Sequence, residues 1–487
     1  MNNKFKGGLE TQSHEIIVEE LSVEGNIPHW LVGSLIRNTP AQYEIGGRSY
    51  RHWFDGLAML YSFTFENGRV SYRNRFIESQ AYRENNESGE IKFSEFATNR
   101  SRTLFSRLFD VFQKPHLGGN INDVNGGNTN VNVARFGDRY VALTETPLAM
   151  VFDRHTLETL GTYDYEKTDA QLSTAHPQFD FARNMGITYA AKIGLSSEYR
   201  FYNLNGTKLD LLATVPTKKL AYIHSFGMTE HYILLAEYAF KLSNVLAMLV
   251  IGKPFIENFE WLPEEGSRFI AIDKASGKVV SEAETEPFFV FHHINAFERD
   301  GEIIADFAAY PDAKIVRQYY LDALRADGAG IASSEFRRYR IPLSGGKRAT
   351  YELVTDENIE FPRINYKQSN GKPYEYAFGT SIQQGTTGFY NQLTKFDVAT
   401  GAVKKWCEAD CYPGEAIFVA APEASTEDTG VVLSVVFDSQ RDTSFLLVLD
   451  GRSFGEIARV RLPQHIIPFG FHGQFFNDRS YVSRSLA

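Results

Sequence analysis

Cysteine is almost absent: the 487 residues contain two, Cys407 and Cys411. They lie too close together to staple distant elements, and no second pair exists to complete a zinc site. A disulfide scaffold is thereby excluded, and reduced thiols in a cytoplasmic protein are expected. Positive charge is not in excess either. Against 60 acidic residues stand 50 basic ones, a net charge of −10, so no nucleic-acid backbone is expected as partner. No run approaches the ~18 apolar residues of a membrane span. Met1 through Glu15 are polar and lack the apolar core of a signal peptide. The expectation is a cytoplasmic protein, soluble or peripheral to a membrane surface. Helical periodicity is also scarce, which argues against a parallel α/β sheet.

What is present from Gly33 onward is a succession of short apolar runs separated by turn residues. Phe63-Thr64-Phe65-Glu66 and Arg69-Val70-Ser71-Tyr72 alternate apolar with polar residues on either side of Asn67-Gly68, whose two positions tolerate the positive φ of a tight hairpin turn. A looser unit recurs: an apolar strand, then Asp, then Thr or Ser before Gly, then another strand. It is found at Phe269-Asp273-Ser276-Gly277-Val279 and at Phe396-Asp397-Thr400-Gly401-Val403. Weaker copies surround Asp153 and Asp450. Repeated up-down strands with little intervening helix argue for an all-β fold, a β-propeller, whose radial blades hide most strand edges. Repeats override the length prior of about three domains. One domain over 1–487 is expected, with the propeller itself spanning about 33–487. The degenerate repeat leaves the blade count open.

Two stretches break the β pattern. In the first, Phe105, Leu108, Phe109 and Phe112 share one helical face. The second is the apolar run from Val245 to Ile251. One reading makes them insertions near 101–125 and 238–262 that cap the propeller. The other makes 103–112 and 239–255 a patch that meets a membrane surface and suits a lipid-soluble substrate.

The most informative stretch is Phe288-Phe289-Val290-Phe291-His292-His293-Ile294-Asn295, an apolar run meeting two imidazoles ahead of an Asp300-Gly301 hairpin signal. A single buried histidine is most often satisfied by a backbone carbonyl. Three others, however, sit in similar apolar strand-edge settings: His176, His224 and His472. Successive gaps of 48, 68 and 180 residues rule out a local metal motif. A propeller removes that objection, because inner strands of different blades end near one axis and their side chains converge there. Four neutral imidazoles suit Fe, Zn, Cu or Ni, and spacing does not choose among them. Imidazole ligands also need their second N–H held by a carboxylate or carbonyl. Glu145, Glu360 and Glu415 have the apolar, strand-like surroundings such a partner requires. Of the remaining histidines (His14, His29, His52, His116, His155, His231, His293 and His465), most read as surface or satisfied side chains. Strand alternation prevents His292 and His293 from both facing the axis.

Arg51-His52-Trp53-Phe54-Asp55-Gly56, Thr174-Ala175-His176-Pro177, Phe291-His292-His293-Ile294-Asn295, Glu360-Phe361-Pro362-Arg363, Gly371-Lys372-Pro373-Tyr374 and Phe471-His472-Gly473 resemble the carotenoid cleavage oxygenase family. The likeness runs from about Gly33 to the C-terminus and is nearest to the animal-type branch of β-carotene oxygenases and retinal pigment epithelium isomerohydrolase. The resemblance implies a seven-bladed propeller with a helical and loop cap over the active-site face. It implies one Fe(II) per chain on the axis, held by His176, His224, His292 and His472, with His292 chosen over His293. Glu145, Glu360 and Glu415 fall on the family's supporting glutamates. The implied reaction is oxidative cleavage of one double bond of an apolar carotenoid or apocarotenoid polyene by O₂, favoured at the central 15,15′ bond, giving retinal-type aldehydes with no organic cofactor.

The chain departs from the family in two places. Ala97-Thr98-Asn99-Arg100 replaces the Pro-Asp-Pro-Cys of animal members, which removes lipid attachment through that cysteine and favours a microbial relative. Thr39 stands where the family usually has Gly. Two other readings remain at this point: a stilbene-cleaving or phenylpropanoid-cleaving dioxygenase of the same family, and a metal-free propeller that binds apolar ligands or a protein partner.

Overall fold

The computed structural model describes residues 3–100, 126–165, 168–194, 196–243, 253–344, 348–386 and 388–477. The short alternating runs become antiparallel strands, grouped into seven sheets of four to six strands that stand as blades around one axis. The expected seven-bladed propeller is the observed fold. The first blade consists of Gly33–Gln42, Leu57–Glu66 and Arg69–Phe76, with the C-terminal strand Gly473–Asn477 on its inner side and Ile17–Val18 on its outer side. Blades two to six follow in chain order, and their innermost strands are Asn132–Phe136, Leu172–Ser173 with Gln178–Asp180, Gly227–Met228, Phe289–Arg299 and Glu360–Arg363. In the seventh, Cys411–Pro413 and Ile417–Ala420 share the inner place and N-terminal Ser22–Gly25 pairs outermost with Glu456–Arg461. Both ends of the chain therefore close the ring.

The degenerate repeat has a local cause. At Asp273, Oδ1 accepts the Ser276 backbone N–H at 2.7 Å and its hydroxyl at 2.6 Å, an Asx turn that starts the hairpin return. Asp397, Asp153 and Asp450 likewise accept the backbone N–H of Thr400, Thr156 and Ser453. Gly277 follows at φ +69°, and a Cβ there would lie 2.0 Å from the Leu212 carbonyl of the neighbouring blade, so only glycine fits. Asn67 and Gly68 take φ values of 51° and 78°, as their hairpin requires.

Elements inserted between strands cover the face of the propeller at the axis. They are the hairpin Phe240–Leu242 with Phe259–Trp261 on the fourth blade and the short helices Lys314–Gln318 and Leu321–Arg325 on the fifth. With the 3₁₀ turn Trp53–Asp55 they form an aromatic layer: Trp53 meets Tyr319 at 5.2 Å, Phe54 meets Phe291 at 5.7 Å and Tyr222 meets Phe259 at 6.0 Å between ring centroids. The described part of 239–255 turns inward, with Ala239, Phe240 and Leu242 buried. Residues 244–252 and 101–125, hence the apolar stretch 103–112, lie outside the described residues. A helix not foreseen from sequence, Gln80–Ser88, starts where Ser79 Oγ accepts the Tyr82 N–H and ends at Gly89 with φ 67°. It buries only Ala81 and Asn85, too little apolar periodicity to reveal it. Among the described residues no helix is long and apolar enough to cross a membrane.

Buried ion pairs join neighbouring blades. Lys395 Nζ reaches Asp428 Oδ2 at 2.5 Å and the Gly451 carbonyl at 2.8 Å. Lys274 Nζ reaches Asp180 Oδ2 at 2.5 Å. Two histidines away from the axis are likewise buried and satisfied. His52 Nδ1 accepts the Phe54 N–H and its Nε2–H donates to the Val316 carbonyl. His465 Nε2 pairs with the Tyr72 hydroxyl at 3.1 Å.

Removing one partner of a buried pair leaves an uncompensated charge. Lys395→Ala is expected to lower stability by about 3–5 kcal/mol in chemical denaturation, and Lys395→Met with Asp428→Leu to restore most of it. Burial pushes His52 down to about 3 and His465 down to about 4 from an ordinary 6.5. The unfolded chain then binds more protons below about pH 6.5, so the contribution of neutral histidine is full above that value and is lost as pH falls towards 4 and 3. The slope of unfolding free energy against pH in this window is expected to flatten by up to about one proton in His465→Asn.

Candidate metal centre

Each blade sends one of the seven singled-out residues to the axis. His472 immediately precedes the inner strand of the first blade, and Glu145 lies on a loop of the second. His176 interrupts the inner edge of the third, and His224 precedes that of the fourth. His292 is on the inner strand of the fifth, Glu360 on that of the sixth, and Glu415 between the two inner segments of the seventh. The four imidazoles each bring a ring nitrogen within 4.8 Å of the others. His176 Nε2 lies 3.0 Å from His224 Nε2, and His292 Nε2 lies 3.0 Å from His472 Nε2.

Local irregularities aim these side chains. The strand bearing His292 pairs with Glu302–Tyr310 through register shifts on both sides of His293. His292 turns to the axis and His293 turns between blades four and five. Ser225 Oγ–H donates to the Phe291 carbonyl at 2.6 Å, so His293 Nδ1–H donates to that hydroxyl at 2.9 Å. Phe361 has φ 48° in a buried setting. That left-handed residue breaks strand alternation, and both the Glu360 carboxylate and the Phe361 ring face the centre. The ring sits 5.3 Å from His292 and 5.6 Å from His472. Arg37, 1% exposed, donates to the carbonyls of Glu415 and Phe471 at 3.0 and 2.8 Å, and the Asn38 N–H to that of His472 at 3.0 Å. Thr39, the departure from glycine, spends its buried hydroxyl on the carbonyls of Pro468 and Phe469, at 3.3 and 3.2 Å. It anchors the segment that leads to His472.

The carboxylates fix the tautomers. His224 Nδ1–H donates to Glu145 at 2.6 Å, His472 Nδ1–H to Glu415 at 2.8 Å, and His292 Nδ1–H to Glu360. An ionised carboxylate only accepts, so the proton sits on Nδ1 and Nε2 keeps its lone pair. The nitrogens of His292 and His472 therefore face each other bare at 3.0 Å. Desolvation and the neighbouring imidazoles hold His472 and His176 well below the ordinary histidine range, and desolvation lowers His292 as well. Lone pairs so placed repel unless a cation lies between them, and four neutral nitrogens with anionic carboxylates behind them suit a divalent transition metal. The donor set fits the metal that the sequence implies.

Sequence reading missed the residues behind the carboxylates. Tyr222 Oη donates to both oxygens of Glu145 at 2.8 and 2.9 Å, and Tyr310 Oη to Glu360 at 2.5 Å. Arg363 Nε donates to Glu415 at 2.8 Å. Tyr222 lies two residues from His224, and Arg363 three from Glu360, so for them proximity in sequence was an available signal. Tyr310 and Arg37 had none.

A family model described as retinal pigment epithelial membrane protein matches residues 9–477. The mitochondrial carotenoid-cleaving dioxygenase of Pongo abelii is 33% identical, over 93% of this chain and 91% of its own. The β,β-carotene 15,15′-dioxygenase of Homo sapiens is 32% identical, over 96% and 93%. A cobalt-substituted apocarotenoid oxygenase of Synechocystis superposes with a TM-score of 0.84 at 26% identity, covering 97% of this chain and 98% of that one. With its propeller, its converging histidines and these relatives, the chain belongs to the retinal pigment epithelial membrane protein family, the family of carotenoid cleavage oxygenases.

Proposed function

We propose that this protein is an Fe(II)-dependent dioxygenase that splits one double bond of a carotenoid or apocarotenoid into two carbonyl products, at the central 15,15′ bond, giving retinal-type aldehydes. The observation that carries this reading is the meeting of four imidazole nitrogens beneath an aromatic layer. The similarity to β,β-carotene 15,15′-dioxygenase supports the central bond, and the cobalt-substituted relative supports a divalent metal. His176, His224, His292 and His472 would hold one ion per chain, and Glu145, Glu360 and Glu415 would keep three of the rings in the donating tautomer.

Bound iron supplies the activation of O₂ next to an electron-rich double bond. The chain supplies the rest. Phe291 and Phe361, 5.5 Å from His224 and 5.3 Å from His292, lie against the centre, with Phe54, Phe471 and Trp53 packed behind them. Their rings exclude water, bind an apolar polyene, and face any positive charge that develops along it. One oxygen atom ends on each carbon of the broken bond, so the two aldehydes account for all of O₂ and no external reductant or organic cofactor is required. We also infer that the apolar residues of 103–112 meet a lipid surface, the source of such a substrate, and partitioning onto liposomes tests this.

Replacing any one of the four histidines with Ala is expected to abolish iron retention in metal analysis, whereas His293→Ala keeps the iron. Glu145→Gln, Glu360→Gln and Glu415→Gln are expected to lower metal affinity or activity roughly 10–100-fold. Fe(II)-loaded protein given β-carotene is expected to yield retinal by product mass. Cleavage of a resveratrol-type stilbene instead would overturn the substrate class, and protein that purifies without stoichiometric metal and tolerates His224→Ala would be a binding propeller.

A further inference from the structure

The three carboxylates behind the histidines are not held alike. Glu415 faces two guanidinium groups, Arg363 Nε at 2.8 Å and Arg37 Nη2 at 3.7 Å, and accepts the Gly473 N–H at 3.0 Å. Glu145 and Glu360 are held on the far side by neutral hydroxyls. Tyr222 Oη bridges both oxygens of Glu145, whose Oε1 also accepts His224 Nδ1–H. Tyr310 Oη takes Oε2 of Glu360, while Oε1 accepts from His292 Nδ1 and from the Phe361 N–H at 3.1 Å.

We infer that Tyr222 and Tyr310 are positioning residues of the metal centre: their hydroxyl protons lock the carboxylates of Glu145 and Glu360, and through them the rings of His224 and His292. This inference rests on the reading that the four histidines hold a metal. A carboxylate bonded only to an imidazole can still turn about its last torsion. A donor on the opposite oxygen fixes the plane. Both tyrosines are buried, at 3% and 1% exposure, and so is Glu360 at 1%, so water does not compete for the Tyr310 bond. Each hydroxyl faces a carboxylate oxygen, which only accepts, and is therefore the donor. As neutral donors they place no cation beside Glu145 or Glu360, so the bond from each Nδ1–H, which raises the basicity of Nε2, is not weakened by a competing charge. His472, whose glutamate is compensated by arginine, is the weaker donor by the same reasoning. Tyr310 is itself backed: its hydroxyl lies 3.5 Å from that of Tyr390, which lies 2.5 Å from that of Tyr319.

Tyr310→Phe and Tyr222→Phe keep the ring and remove one oxygen. Full-length protein is loaded with Fe(II) or Co(II), affinity is read by competition with a chelator, and the visible bands of the Co(II) form report the ligand field. Either substitution is expected to weaken Fe(II) binding roughly 10–100-fold and to shift the Co(II) bands. Tyr72→Phe removes a hydroxyl that pairs with His465, away from the centre, and is expected to leave both unchanged. Wild-type affinity with an unshifted Co(II) spectrum in both Phe variants at the carboxylates overturns the inference. Should Tyr310→Phe fail to fold, Tyr222→Phe decides alone. If the unsubstituted protein binds neither metal, the metal reading itself falls, a result distinct from equal binding by all forms.

Discussion

Two imidazole nitrogens, neither carrying a proton, stand 3.0 Å apart where His292 meets His472. Electrostatics alone forbids that arrangement in an apolar interior without a positive charge to share. Much of the surrounding structure serves to impose it. Glutamates set the protons on the outer nitrogens, arginines and tyrosines hold the glutamates, and the aromatic layer keeps water from relieving the repulsion. Remove the outermost of these supports and the inner geometry loses its reason to persist.

The propeller distributes that task evenly. Each of the seven blades carries one of the four histidines or three glutamates, so no single sheet has to hold two charged or coordinating groups side by side. Near the axis, backbone hydrogen bonds hold the histidine-bearing segments, as the Asn38 N–H holds the carbonyl of His472. Ion pairs such as Lys395 with Asp428 join the blades farther out, so displacement of one blade is transmitted to its neighbour instead of being absorbed by a loop.

Much of this was legible in the amino-acid order. Strand alternation, Asn-Gly and the Asp-to-Gly turn unit reflect local backbone chemistry, and they led to the propeller. The four histidines and three glutamates stood out because an ionisable side chain in an apolar strand demands an internal partner. The choice between His292 and His293 did not follow from alternation alone; it depends on register shifts around His293 that involve the neighbouring strand. Tyr310 was invisible for a related reason: tyrosine is at home in any buried strand, and its hydroxyl bond is to a residue 50 positions away. The helix Gln80–Ser88 escaped because Ala81 and Tyr82 are its only apolar residues and it is defined by its caps.

The ring is fastened by pairing Gly473–Asn477 with Gly33–Gln42, and Arg37 reaches across 434 residues to the carbonyl of Phe471. During synthesis three of the four converging histidines leave the ribosome long before the fourth, and the first blade must wait for its inner strand. The four imidazoles can meet only after His472 has been made, so closing the ring and completing its hub are one event.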